Sequence, residues 1–588
     1  MPDRFASLLA SPWAPALAAL LTVLLGLPAL GVGWQADDWF HLAILRGLDP
    51  ELARDPVWDL FRFMEGGSQD ALQRARGLIT WWAADDLAIG FLRPLSALTH
   101  VLDHRLWPNS APLQHAHSLV WSGLAVLTVG HLLRAALPDA PAAAGLGALL
   151  FACEDAHALP MVWIANRNAM IALALGAAAV ALHIRWRQAG GWLQALGAVA
   201  LLALALAAGE SGIGAAAYIL AFQLTADRHG WTRRLLGVLP AATIVLAWRM
   251  AYDQLGYGAH GSGLYIDPGA DPAAFVAAIA ERAPILALAQ WTSAPVDVVS
   301  VLSRPAMLSF AVSGLAVTAA MGLLLRPILQ ASAQARFLAL GSLGALLGPC
   351  ATFPMDRVLT FAGVGAFGLF GLLLLTHADG WRRRAAVALA AWHGPVAAAA
   401  LVLRVCAGPA FGWIFAEGEA AAPRDAAVSE QTLVFLSGTE FATVYTPVIR
   451  LVRGDAPAPR RVHMLSSQLQ DNELLREDEH TLVIAPAGGF LSVPLTGLMR
   501  DPGTRFDVGQ TIERTDFTAE VRATTEDGRP SVVAFHFRTP LEDPGLRFLV
   551  ATARGFEVWE PPPVGGRERV PWTLPGGSLR ERLPGDVP

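Results

Sequence analysis

Two adjacent carboxylates, Asp37 and Asp38, follow the first long apolar run and are the side chains best placed to do chemistry. That run, residues 14–33, carries no charge and is long enough to cross a hydrocarbon layer of about 30 Å. Acidic groups so close to hydrocarbon are poorly solvated, and neighbouring carboxylates raise each other's pKa, as a general base requires. The alternative is a solvated loop with two charges, and the spacing leaves both interpretations open.

Acidic, histidine and arginine side chains gather on the face of the membrane that the topology below predicts to be external. They are His41, Arg93, His115, Glu154, Asp155, His157, Arg167, Glu210, Arg249 and Arg357. A guanidinium group stays charged and binds phosphate oxygens in pairs, so together they predict a site that holds a phosphate and moves a proton. Each also has a structural explanation. Histidines at helix ends bond to backbone carbonyls, and arginines extend their charged heads to the membrane interface.

The composition excludes several classes of protein. Of 588 residues, 54% are hydrophobic and 16% charged, which is too apolar for a soluble protein of this size. The net charge of -6 argues against nucleic acid as a partner. All 43 basic residues are arginine, which excludes a P-loop lysine and a Schiff-base lysine. The three cysteines, Cys153, Cys350 and Cys406, lie in or beside apolar runs and indicate neither a disulfide framework nor a zinc site.

The elements that must position these residues are membrane spans. Apolar runs predict about eleven of them, at 14–34, 113–133, 139–158, 163–184, 191–208, 211–225, 235–250, 305–325, 337–353, 358–377 and 385–407. Arginine clusters between the runs place the N-terminus in the cytoplasm, so the large first loop, 35–112, is external. Residues 272–303 are apolar but charged in places. The parity of the spans predicts that they lie on the external face or dip into it.

The chain changes character near residue 408. We predict a membrane domain over residues 1–410, a linker over 411–424 and a β-rich domain over 425–588 outside the cytoplasm. Alternating β-branched stretches predict strands at 432–436, 481–485, 519–522, 531–537 and 548–551. In the first loop, residues 59–64 and Trp81-Trp82 suit helices at the membrane interface.

The order of these motifs resembles the GT-C superfamily of integral membrane glycosyltransferases. The resemblance is closest to the protein O-mannosyltransferase-like branch and the tetratricopeptide-bearing transmembrane mannosyltransferase-like branch. It rests on the acidic pair, Phe-Leu-Arg-Pro-Leu at 91–95, His115, Leu-Phe-Ala-Cys-Glu-Asp-Ala-His at 150–157, Trp-Ile-Ala-Asn-Arg at 163–167 and Gly209-Glu210. Where the family has His-Pro-x-His-x-Glu after the third span, this chain has Glu-Asp-Ala-His-Ala-Leu at 154–159.

The resemblance implies an α-helical polytopic GT-C-like enzyme. It would transfer a sugar from a polyprenyl-phosphate donor to an acceptor hydroxyl on the extracytoplasmic face, with inversion. The base would be Asp38, favoured over Asp37. Arg357, with Arg249 and Arg93, would bind the donor phosphate, and the other polar residues would support the site.

Several points stay open. No cofactor is certain, although a divalent ion, Mg²⁺ or Mn²⁺, would find ligands in Asp37, Asp38 and Glu154. The partners are the lipid-linked donor, membrane lipid and an acceptor that is a protein, a lipid or a glycan. The expected location is a bacterial inner membrane. The alternatives are a transporter or flippase of lipid-linked saccharide, a non-catalytic cell-envelope assembly protein, and an O-antigen ligase or polymerase.

Overall fold

The computed structural model describes residues 3–50, 53–375, 380–466, 470–552 and 555–573. Helices dominate up to residue 421, and a β-rich region follows them. This arrangement of apolar helices followed by strands is the one that the sequence predicts.

Twenty α-helices fall within the described residues. They are α1 (Asp3–Ala10), α2 (Ala14–Gly26), α3 (Asp38–Leu45), α4 (Ala71–Arg76), α5 (Pro94–Leu106), α6 (Ala111–Ala136), α7 (Pro141–Ala152), α8 (Ala158–Val162), α9 (Asn168–Ala189), α10 (Trp192–Ala208), α11 (Ile213–Thr225), α12 (Trp231–Gln254), α13 (Pro272–Thr292), α14 (Arg304–Ala331), α15 (Ala333–Ala345), α16 (Thr360–Leu375), α17 (Trp381–Ala391), α18 (Ala397–Cys406), α19 (Gly408–Ala421) and α20 (Glu440–Arg453).

Seven helical stretches in the described chain are long and apolar enough to cross a membrane. They include α6, α12, α13, α14 and the continuous stretch α17–α19. The pair α7 and Asp155–Val162, bent by 49°, makes an eighth if it is one span. The prediction of eleven is therefore met only in part. The predicted spans at 211–225 and 337–353 correspond to α11 and α15, which have 13 residues each, fewer than a bilayer requires.

The segments before and after the apolar helix α13 contact the same part of the chain, residues 494–498. Before it, Ser262 donates a hydrogen bond to the carbonyl of Leu498, and Gly263 donates one to that of Gly497. After it, the turn Val296–Val301 packs against Pro494–Gly497. Both flanks of α13 thus contact residues 494–498.

The predicted linker over 411–424 is wrong. Helix α19 continues the direction of α17 and α18 as far as Ala421 and packs against α20. Its Glu419 is fully buried and forms ion pairs with Arg424 and Arg453. A solvated linker would leave these charges in water, whereas here they fix α19 to the C-terminal region.

The strands form three sheets. They are β1 (Arg62–Glu65), β2 (Ala88–Gly90), β3 (Gly258–His260), β4 (Thr432–Phe435), β5 (Arg461–Met464), β6 (Asn472–Arg476), β7 (Thr481–Pro486), β8 (Thr511–Glu513), β9 (Phe517–Thr524), β10 (Pro530–Phe537), β11 (Leu546–Thr552), β12 (Gly555–Val558) and β13 (Arg567–Val570). The sheet order is β1-β2-β3, β13-β6-β7-β10-β9-β8 and β12-β11-β4-β5. All five predicted strands are confirmed, as β4, β7, β9, β10 and β11.

The C-terminal region has three layers. Strands β4 and β5 are parallel and joined by α20, a βαβ unit that the sequence analysis did not predict. Val434 packs into the core shared with the six-stranded antiparallel sheet, whereas Leu433 and Phe435 pack with Ile449 of α20. The four-stranded sheet therefore lies between that sheet and the helix.

The first loop belongs to the core of the C-terminal region. Trp81 and Trp82 are 2% and 1% exposed and pack with Phe490 and Phe535. Residues 62–65 form strand β1 instead of a helix. The predicted interfacial helices at these positions are wrong. Trp81 and Trp82 are buried against the β-rich region, and Leu60 and Phe61 are buried against α3 and α5.

Candidate functional site

A cavity of about 1480 Å³ lies between the helices and the C-terminal region. One wall is apolar and comes from α11 and α12, including Leu220, Val238, Val245 and Leu246. Val238 and Arg249 both line it, and eleven residues of α-helix span about 16 Å. The cavity thus continues for more than two turns beyond Arg249 along an apolar helix.

Other lining residues come from the first loop, α19 and α20. They include Phe40, Phe63, Phe411, Phe441 and Tyr445. Five sequence-predicted site residues also line the cavity. They are Asp37, Arg93, Glu210, Arg249 and Arg357.

The two adjacent acids have different environments. Both oxygens of Asp38 accept hydrogen bonds from backbone N–H groups: Oδ1 from Ala165 at 2.7 Å, and Oδ2 from Gln35 at 2.9 Å and Ile164 at 3.3 Å. Asp38 is 3% exposed and is not among the residues lining the cavity. Burial raises its pKa to about 7 despite these donors. Asp38 therefore ties α3 to the turn before α9.

Asp37 has one occupied and one open oxygen. Its Oδ1 accepts a hydrogen bond from the hydroxyl of Tyr445 at 2.7 Å. No described residue donates a hydrogen bond to its Oδ2, and the side chain is half-buried on the cavity wall. Burial raises the pKa of Asp37, while Tyr445, Arg357 and Arg93 oppose the rise. A carboxylate of this kind can accept a proton from a hydroxyl in the cavity.

A strained turn sets the directions of the two acids. Ala36 has φ = 44°, in the left-handed region that alanine seldom adopts, and it is 1% exposed. Helix α3 starts two residues later, at Asp38. Backbone strain of this kind is held in place by the surrounding packing and concentrates at functional sites.

Arg357 stands apart from the other arginines of the cavity. Each of the others has a carboxylate partner. The pairs are Arg54–Glu65, Arg62–Asp59, Arg93–Glu210, Arg249 with Asp253 and Asp267, and Arg404 with Asp155, Asp297 and Asp356. In the described part of the chain, Arg357 has no carboxylate within ion-pair distance. Its guanidinium lies 5.2 Å from the ring centre of Trp163 and donates to Asn166 at 3.3 Å. It is therefore free to bind an anion.

Three predicted site residues are buried away from the cavity. Arg167 is fully buried and forms an ion pair with Asp103 at 2.6 Å. Both ring nitrogens of His115 contact backbone carbonyls, those of Met161 and Gly33. His41 packs against aromatic rings, and burial lowers its pKa to about 3. None of the three is among the residues lining the cavity.

The acidic segment at 154–157 forms a buried network. Glu154 accepts a hydrogen bond from Gln290 at 2.8 Å, and its other oxygen lies 3.5 Å from His157. Asp155 pairs with Arg404 at 2.9 Å. Glu154, Asp155 and His157 are not among the residues lining the cavity, whereas Arg404 is. The contacts of these three residues hold elements together.

Arg404 is the centre of that network. Its guanidinium binds Asp155, Asp297 and Asp356, at 2.9, 2.9 and 2.6 Å. Burial raises the pKa of Asp356 to about 7, and Asp297 nearby adds to the rise. Because Asp356 precedes Arg357, the network fixes the turn that carries the unpaired arginine.

The possible metal ligands are not grouped. Asp37, Asp38 and Glu154 have the separate partners described above. Among the described residues, no group of three or more histidine, cysteine, aspartate or glutamate side chains is arranged to hold a metal ion. The residues present therefore do not fit a divalent ion.

Two residues of the site, Arg404 and Tyr445, are not among those predicted from the sequence. Arg404 lies inside the last apolar run, and an arginine in such a run is itself a signal of function. Tyr445 carried no signal, because it is 408 positions from its partner Asp37.

Comparison with known proteins does not assign the chain to a family. No protein-family model matches the chain, and no curated protein matches it.

Proposed function

We propose that the protein is a membrane glycosyltransferase that uses a polyprenyl-phosphate-linked sugar. The observation that carries this proposal is the content of one cavity. Asp37, with an open carboxylate oxygen, and Arg357, without a carboxylate partner, line the same cavity as an apolar wall along α12. Sugar transfer from such a donor requires three features: a base for the acceptor hydroxyl, a group that binds the phosphate, and an apolar wall for the lipid.

The lipid tail would lie along the apolar wall. Only 17% of the apolar part of α12 is buried, as expected for a helix at the lipid boundary. The donor phosphate would bind Arg357, because the charges of Arg93 and Arg249 are already compensated by carboxylates. This narrows the three phosphate-binding arginines of the sequence analysis to one.

Asp37 replaces Asp38 as the proposed base. Its open Oδ2 accepts the proton of the acceptor hydroxyl as that oxygen attacks the anomeric carbon. The bond from that carbon to the phosphate oxygen breaks, and the polyprenyl phosphate leaves with the bonding pair. Attack opposite the leaving group inverts the anomeric centre. Arg357 stabilises the charge that develops on the departing phosphate.

The proposed topology has about eleven spans, with the β-rich region outside the cytoplasm of a bacterial cell. The contacts of both flanks of α13 with residues 494–498 support a helix that returns to the side it came from. The shorter helices α10, α11, α15 and α16 would cross as part of the bundle. Labelling of single cysteines at positions 230 and 527 with a membrane-impermeant maleimide in intact cells tests this, and only position 527 should react.

The first test is binding of undecaprenyl phosphate to purified protein, measured by native mass spectrometry. Arg357→Ala should weaken binding roughly 10- to 100-fold, because a charge-assisted phosphate contact is worth about 1.5–3 kcal/mol. Arg62→Ala is the matched control, since Arg62 lines the same cavity but is paired with Asp59 at 3.0 Å. Equal losses in both variants would contradict the phosphate role.

The second test is catalysis. Wild-type protein should transfer or hydrolyse the sugar of a labelled polyprenyl-phosphate donor. Binding without any turnover, across a panel of protein, lipid and glycan acceptors, would indicate a carrier or assembly protein instead of an enzyme.

A further inference from the structure

The C-terminal region reaches into the candidate site through one hydroxyl group. Tyr445 of α20 lies on the cavity wall, and its Oη is 2.7 Å from Oδ1 of Asp37. It is the one described side chain that donates a hydrogen bond to either acid oxygen of Asp37. The other groups facing Asp37 are Asp38, Arg93, Tyr265 and Arg357.

The ring of Tyr445 is held on two sides. It is 6% exposed, and its centre lies 5.1 Å from that of Phe40 in α3 and 5.1 Å from that of Phe415 in α19. Edge-to-face packing of this kind fixes a ring in one orientation. The position of the hydroxyl is therefore set by three helices and is not free to follow Asp37.

The direction of the hydrogen bond is also fixed. Burial and the nearby carboxylate raise the pKa of Tyr445 well above its ordinary value, so the phenol keeps its proton and donates. Asp37 must then present Oδ1 to α20, which leaves Oδ2 towards the cavity.

We propose that Tyr445 is a positioning residue for Asp37, so that the C-terminal region forms part of the reaction site. This deepens the proposed function and rests on the assignment of Asp37 as the base. The C-terminal region thereby does more than bind an acceptor at a distance, because α20 determines which oxygen of the base faces the substrate.

The test compares Tyr445→Phe with Tyr257→Phe in full-length protein. Tyr257 also donates hydrogen bonds, to the carbonyl of Trp58 at 2.8 Å and to Asp59, but it is not among the residues lining the cavity. The first readout is the pH dependence of carbodiimide modification of Asp37, followed by mass spectrometry. Carbodiimide reacts with the protonated carboxyl, and this readout does not depend on sugar transfer.

Loss of the Tyr445 hydroxyl removes a donor that favours the ionised carboxylate. The midpoint of Asp37 modification should therefore move to higher pH in Tyr445→Phe and stay unchanged in Tyr257→Phe. Sugar transfer should fall about tenfold, with its acid limb at higher pH and the affinity for undecaprenyl phosphate unchanged.

A second variant guards against loss of fold. Fluorotyrosine incorporated at position 445 keeps the ring and is a stronger donor, so it should move the midpoint to lower pH. Unchanged midpoints in both variants would overturn the proposal. If the midpoints shift but the protein transfers no sugar, the positioning role of Tyr445 is supported and the proposed glycosyltransferase function is refuted.

Discussion

Two residues that are neighbours in sequence differ completely in what they can do. Asp38 accepts three backbone hydrogen bonds, whereas Asp37 accepts one from Tyr445 and has an open oxygen. Spacing after the first span left a general base and a solvated loop equally open, and the resemblance to a known family favoured Asp38 over Asp37. The choice depends on the left-handed turn at Ala36 and on a helix some 400 residues away, neither of which leaves a local pattern.

Substitution of each acid by asparagine should separate activity from stability. Asp37→Asn should lower sugar transfer by about 10²–10⁴-fold, the usual contribution of a general base, with little change in melting temperature. Asp38→Asn should lower the melting temperature, because an amide has one acceptor oxygen for three N–H donors. Transfer assays and thermal unfolding in detergent measure the two effects. Undiminished transfer by Asp37→Asn would remove it as the base.

The sequence predicted which polar residues are candidates for the site but not how they are arranged in space. Five of the twelve predicted site residues line the cavity. The other seven are buried away from it, and among them Arg167 and His115 are partners of other groups. Residue type at a membrane face does not reveal side-chain direction, and a change of one position on a helix turns a side chain by about 100°.

At the scale of elements, alternating and apolar residues predicted strands and helices reliably, whereas the lengths of the apolar runs did not predict where helices end. The five predicted strands match because alternating β-branched residues suit a sheet with one buried face. The prediction of a linker at 411–424 was wrong because it relied on the absence of a span-length apolar run there. Helix α19 forms instead, and its buried Glu419 pairs with Arg424 and Arg453. Helix α20 was missed because its apolar stripe resembles the flanking strands over short windows.

Arg404 should be essential to the element that carries Arg357. Replacing it, as Arg404→Met, leaves Asp155, Asp297 and Asp356 close together without a cation, at a cost on the order of 3 kcal/mol. The variant should unfold at lower temperature and bind undecaprenyl phosphate more weakly. Cys406→Ser is the control, because Cys406 is exposed two residues further along the same helix. A variant with normal melting and normal binding would contradict this role.

At the scale of the whole molecule, the predicted domain boundary is not a boundary in space. One hydrophobic core contains Trp39 from α3, Leu78 from the first loop and Leu433 from β4. The sequence shows that composition changes near residue 408. It cannot show that the two parts share a core, since that core joins residues hundreds of positions apart.

Gly77 tests the joint between the first loop and the C-terminal region. Its φ is 77°, and an added Cβ would overlap the carbonyl oxygen of Val462 in β5. Gly77→Ala should therefore lower the melting temperature strongly and expose the loop to protease. Gly67→Ala is the control: its φ is 60° with open space around it, so it carries only a backbone cost of about 1–2 kcal/mol. Equal effects would mean that the joint is not tight.

The burial of Trp81 has a consequence for how the chain is made. Its indole N–H donates to the carbonyl of Leu465, 384 residues later, and its ring packs on Phe490, Phe506 and Phe535. A ribosome releases residue 81 long before the strands that enclose it exist. Until synthesis ends, the apolar surfaces of Trp81 and Trp82 stay exposed. Contacts between such distant positions also form slowly. Maturation of this protein is therefore a late event with a vulnerable interval, when chaperones or proteases have access to the unfinished molecule.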